Sequence, residues 1–163
     1  ALPFFLYFRH ITNLKKIISL VCTSKISIKY GLAKFYILNL ALNGNKNPIN
    51  SFVLAKKNNS YFREVVAGIK MVKRLKSKPH SIVVKKLGIS CRYPGTFNSA
   101  IHAIIKSPNY KSAILRTIKA GGCNCSRANF IGSYFSALNG IRAIPKIWIS
   151  KCFHSKKIIT LSK

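Results

Sequence analysis

Residues 120–148 read AGGCNCSRANFIGSYFSALNGIRAIPKIW: a double glycine, a Cys-Asn-Cys-Ser run, a helical pattern and an Ile-Pro restart. Gly121-Gly122 supplies backbone freedom where a chain bends sharply or lets another group come close. Cys123, Asn124, Cys125 and Ser126 then stand at the mouth of an expected helix, where free amides and the positive dipole end favour anions and lone-pair donors. Phe130, Ile131, Tyr134, Phe135 and Leu138 recur at the spacing of one buried face. Ala128, Gly132 and Ser136 form a second stripe, small enough for another helix to approach closely. Asn139-Gly140 ends the pattern, and Pro145 suits the first turn of a following helix.

Upstream the chain also reads as helical, so an all-α fold is expected. Thr12 to Val21 has helical apolar spacing, whereas Cys22 to Lys29 is ambiguous because Ile26 and Ile28 alternate as in a strand. Gly31 to Leu42 is apolar on most sides and too short for a bilayer, as a central buried helix would be. Asn43 to Pro48 is a loop, and Pro48 to Lys57 a short helix. Ser60 is the expected cap of a helix with Phe62, Val65, Val66, Ile69 and Val72 inward and Glu64 in its first turn. Pro79 opens a short helix through Ile82, Val83 and Leu87, stopped by Gly88. Thr96 is the expected cap of the next, with Phe97, Ala100, Ile101, Ile104 and Ile105 inward. Asn98, His102 and Lys106 fall on its other side, which makes His102 exposed or cleft-lining. Tyr110, Ala113, Ile114, Thr117 and Ile118 repeat a buried pattern in the helix leading to Gly121. Trp148 is expected to pack the last helix onto the bundle, and Lys151 to Lys163 to form a partly mobile tail.

Composition sets limits on function. Of 163 residues, 29 are Lys or Arg and one is acidic, Glu64, for a formal charge of +28. Such charge favours polyanions, and nonspecific binding to them is expected. Yet Lys56-Lys57, Lys70 to Lys78 and Lys85-Lys86 lie mostly on polar helix faces, as in a globular protein whose acids have been lost or replaced. No nucleic-acid signature is present, so a dedicated nucleic-acid binder stands as the alternative. Leu2 to Phe8 is apolar but too short to span a membrane and lacks signal-peptide order. Five cysteines, at positions 22, 91, 123, 125 and 152, show no framework spacing. Reduced thiols in a cytoplasmic compartment are expected. Cys123 and Cys125 are open to three readings: small residues filling a turn, a soft-metal pair, or thiols activated by a helix N-terminus.

The 120–148 block resembles the C-terminal signature of the ADP-ribosylglycohydrolase family, in particular its J1-crystallin branch. Gly132, Ala137, Gly140, Ile144, Pro145 and Trp148 match its downstream positions. The resemblance reaches upstream through Leu87 to Cys91, Tyr93 to Phe97 and Ala100 to Ala103, about half of the chain. It implies a single all-α domain over residues 1–163, an orthogonal helical bundle forming the C-terminal portion of a longer family domain. In the family the Gly-Gly turn precedes Asp-x-Asp-Thr/Ser, which helps hold two magnesium ions beside ADP-ribose. The corresponding residues here are Cys123, Cys125 and Ser126, so the resemblance makes these the metal positions. It likewise makes Gly121, Gly122, Asn124, Ser126 and Arg127 the ligand-binding set, with Arg127 available to a pyrophosphate.

Magnesium needs hard oxygen ligands, and two ions cannot be held with one carboxylate. No cofactor is therefore expected in this chain. The expectation is a structural or ADP-ribose-like ligand-binding protein. Hydrolysis of ADP-ribosyl groups is the alternative, should a missing N-terminal part complete the site.

Overall fold

The computed structural model describes residues 14–161, and among these every regular element is helical. The helices are α1 (Leu14–Ser19), α2 (Lys25–Leu42), α3 (Pro48–Lys56), α4 (Arg63–Arg74), α5 (His80–Leu87), α6 (Gly95–Lys106), α7 (Tyr110–Lys119), α8 (Asn124–Asn139), α9 (Lys146–Ser150) and α10 (Ser155–Leu161). Short 3-10 turns at Ser60–Phe62 and Gly140–Ala143 precede α4 and follow α8. Helix α6 is the axis of the bundle, with α4, α5, α7 and α8 packed around it, while α2 packs against α8, α3 and α1.

The sequence explains why α6 is central. Gly95 to Ile105 contains no charged residue, and every position from Gly95 to Ile104 is buried. A helix apolar or small on all sides is stable only when covered on all sides. Phe97 stacks on Phe130 of α8 at 5.7 Å and meets Tyr30 of α2 edge-on at 5.2 Å, joining three helices through one ring. Helix α4 is the contrasting amphipathic case. Val65, Val66, Ile69 and Val72 are buried, and Arg63, Lys70 and Arg74 are exposed.

Several sequence expectations are corrected. Residues 25–29 continue α2 as helix, because the strand-like alternation of Ile26 and Ile28 is outweighed by packing of the apolar helix that follows. The cap before α4 is Asn59, whose side chain accepts from the Phe62 amide at 3.2 Å, and not Ser60. Thr96 does not cap α6. It lies inside the first turn, buried, with no hydrogen-bond partner for Oγ1. Ile118, expected to face inward, is exposed, whereas Thr117 of the same pattern is buried as expected. Within the tail, Ser155–Leu161 form α10, mostly exposed, while Trp148 packs onto the bundle as expected, half-buried against Tyr110 at 6.0 Å. The expectations for Leu2 to Phe8, Thr12 and the last two residues fall outside the described residues.

The largest correction concerns the polar side of α6. Asn98 and His102 are buried, and His102 is 0% exposed. Its ring lies parallel to that of His80 from α5, with Nδ1 to Nδ1 at 2.9 Å and Nε2 to the Leu75 carbonyl at 3.0 Å. Lys106 closes the same end of α6 by donating to the carbonyls of Lys76 and Ser77. Burial, then the neighbouring His102, Arg127, Arg116 and Lys106, push His80 down to about 3. Burial likewise lowers His102, against the opposing hydrogen bond to Leu75.

This pair sets the acid response. Below about pH 6.5 the unfolded histidines bind protons that the folded pair refuses, so their contribution to stability is complete above that pH and is lost as pH falls toward 3. In most proteins carboxylates dominate this range, but here Glu64 is the sole acidic side chain. The urea midpoint is therefore expected to be highest above the unfolded histidine range and to decline progressively across this window. A flat profile would contradict neutral burial of the pair.

Candidate functional site

The double glycine joins α7 to α8 in a corner that few sequences can adopt. Gly121 and Gly122 take φ of 72° and 69°, two consecutive residues in the left-handed region. At Gly122 a Cβ would lie 2.4 Å from the Ile89 carbonyl oxygen, so the loop after α5 is pressed directly onto the corner. The contact is bonded: the Cys123 amide donates to Ile89 O at 2.7 Å, and the Asn124 amide to Gly122 O at 2.8 Å. The expected helix mouth is present, since Cys123 occupies the N-cap position of α8.

Around this mouth the residues divide by what they touch. Cys123 Sγ and Ser126 Oγ are 3.1 Å apart. Ser126, through hydroxyl and amide, holds the Cys123 thiol below its ordinary value, with smaller help from the Cys91 thiol and Arg127. Cys125 is exposed, and all five cysteines are free. Cys123 thus sits half-buried in the turn beside a hydroxyl, and Cys125 faces solvent.

Arg127 is placed differently from the expectation that it would meet a pyrophosphate. It is 0% exposed, and its guanidinium points into the protein. Nε donates to Thr117 Oγ1 at 3.0 Å, and one terminal nitrogen donates to Asn124 Oδ1 at 2.8 Å and to the Gly121 carbonyl. The oxygens of α7, the corner and α8 thus share one cation, and burial lowers its basicity. The signal was present in the sequence. Arg127 lies three and four residues before Phe130 and Ile131, on the face read as buried. Asn124 is drawn into the same arrangement; of the expected ligand set only Gly122 is exposed, while Gly121, Asn124 and Ser126 are half-buried and Arg127 is buried.

The donor set does not fit magnesium. Cys123 and Cys125 present sulfur, Ser126 Oγ is engaged with Cys123, and Asn124 Oδ1 is engaged with Arg127. Glu64, exposed at the start of α4, holds Lys29 Nζ at 2.8 Å. Among the described residues no group of three His, Cys, Asp or Glu side chains is placed to hold a metal ion.

An all-helical bundle agrees with the family comparison. The ADP-ribosylglycohydrolase model matches residues 25–163, and the chain belongs to that family. Among individual relatives, crystallin J1A of Tripedalia cystophora is 38% identical over 76 residues, covering 47% of this chain and 24% of the relative. Crystallin J1B of the same animal is 29% identical over 76 residues, with the same coverage of each chain. The match thus spans about a quarter of the length of each of these relatives. No solved structure matches the chain. No helix among the described residues is long and apolar enough to cross a membrane.

Replacing Gly121 by Ala meets open space and incurs only the left-handed penalty, about 1–2 kcal/mol. Gly122→Ala adds the collision with Ile89. The melting temperature is expected to fall further for Gly122→Ala than for Gly121→Ala, with faster amide exchange at Cys123 only in the former. Equal losses would show that the Ile89 contact is dispensable.

Proposed function

We propose that this chain is a non-hydrolysing member of the ADP-ribosylglycohydrolase family with a structural role of the crystallin type. One observation carries the reading: most polar groups of the Gly121–Arg127 corner are spent on the fold, and the one Arg127 terminal nitrogen left without a partner is buried. Thr117, Gly121 and Asn124 hold Arg127, and Ser126 holds Cys123. A hydrolytic site keeps its donors directed at substrate and its metal ligands hard. The partial likeness to two crystallins supports the same reading.

A second role, binding of an ADP-ribose-like ligand, is favoured by the open mouth of the corner. Gly121 has no atom near its absent side chain, and the sixteen-residue α8 points its positive end there. Arg127 takes no part in this binding, so the helix amides would carry it. Nonspecific attraction of polyanions follows from the net charge of +28 and weakens with salt. Free thiols suit a reducing, cytoplasmic compartment.

The test is calorimetry with ADP-ribose in the presence and absence of Mg²⁺, together with an assay for release of ADP-ribose from a modified protein. The expected result is no release, and no dependence of any binding heat on Mg²⁺. Metal-dependent release by this chain alone would overturn the proposal.

A further inference from the structure

A groove of about 440 Å³ opens between the start of α5 and one face of α7, lined among others by Pro79, His80, Ser81, Ser112, Arg116 and Lys119. Its charge is one-sided. Arg116 and Lys119 are cationic, Ser81 and Ser112 bring hydroxyls, and the chain's single acid is paired with Lys29 elsewhere. Surface cations alone are unremarkable in a chain of this composition. The second feature, His80, sets the groove apart.

His80 is 3% exposed, and its Nε2 is buried without a hydrogen-bond partner among the described residues. The state of that nitrogen follows from its neighbours. The Leu75 carbonyl can only accept, so His102 carries its proton on Nε2. In a neutral His102 the Nδ1 is then an acceptor, and His80 must donate to it from Nδ1. His80 Nε2 is left as a bare lone pair, itself buried, on a residue that lines the cationic groove. A buried acceptor without a donor destabilises the fold, a cost that a ligand carrying a donor would recover. A metal ion on this nitrogen would meet repulsion from Arg116, Lys119 and the buried Arg127. An anion that still carries a hydroxyl meets none.

We propose that the groove binds hydrogen phosphate, whose hydroxyl donates to His80 Nε2 while Arg116, Lys119, Ser81 and Ser112 hold its other oxygens. The first-turn amides of α5, free of helical partners, stand at the same end of the groove. The prediction that separates this site from bulk attraction is a preference for phosphate over sulfate. At mildly alkaline pH both are dianions, but only phosphate keeps a proton to donate. Protonation of His80, which would let sulfate bind as well, is opposed by burial and by His102, Arg127, Arg116 and Lys106. The groove ends at Ala120, beside the Gly121 corner, but it is lined by none of the corner's own residues and does not depend on their proposed role.

Calorimetric titration of the chain with inorganic phosphate and with sulfate at equal ionic strength provides the test. Phosphate is expected to bind about tenfold tighter, the ratio one hydrogen bond to a charged group supports. His80→Phe removes Nε2 and brings the ratio to about one, while Arg116→Met weakens both anions and leaves the ratio unchanged. Should His80→Phe not fold, ¹⁵N spectra of the unaltered chain decide: phosphate shifts the His80 Nε2 resonance from its unprotonated position, and sulfate does not. Equal affinity for the two anions, a preference that survives His80→Phe, or an unmoved Nε2 resonance would overturn the proposal.

Discussion

A guanidinium buried without a carboxylate holds the corner between α7 and α8 together. Arg127 satisfies α7 through Thr117, the glycine corner through Gly121 and α8 through Asn124. Each contact is to a neutral oxygen, so the charge is spread over hydrogen bonds and not cancelled by an ion pair. Removing one partner of such a buried charge is far more damaging than the net worth of the contacts suggests, because the charge stays behind. The geometry of Cys123, Ser126 and the mouth of α8 follows from this arrangement.

Among the described residues Lys29–Glu64 is the one ion pair, and with the glutamate side chain 67% exposed it contributes little. The cations find other neighbours. Lys34 lies 5.1 Å from the Tyr93 ring centroid and 5.5 Å from that of Phe130, and it donates to Tyr93 Oη at 3.0 Å. Lys56 lies 4.6 Å from the Tyr36 ring. Aromatic faces and backbone carbonyls here do what acids do on ordinary surfaces. The uncancelled remainder repels itself, so salt stabilises this fold by screening.

The helical nature of the chain was legible because apolar spacing in α4, α6 and α8 is strong, and the glycine corner because two adjacent glycines before a polar helix start have few other uses. What stayed hidden depended on tertiary packing. Asn98 and His102 look like a polar face until α5 covers them. Only the absence of charge from Gly95 to Ile105 hinted that no face of α6 was free. Ser60 and Thr96 were plausible caps on residue type, but Asn59 is one residue earlier and α6 starts before Thr96. At the corner, placement on the helix mouth was readable, whereas the inward turn of Arg127 required giving its register more weight than its charge. The His80–His102 contact joins residues 22 apart, beyond any local pattern.

The partners of Arg127 lie three, six and ten residues away along the chain. All its bonds therefore close within one helical hairpin, before any distant segment must arrive. Short-range closure of this kind makes for rapid assembly. The α7–α8 hairpin is thus closed by local bonds alone, and its Phe130, Ile131 and Tyr134 are buried where α8 packs against α6 and α2.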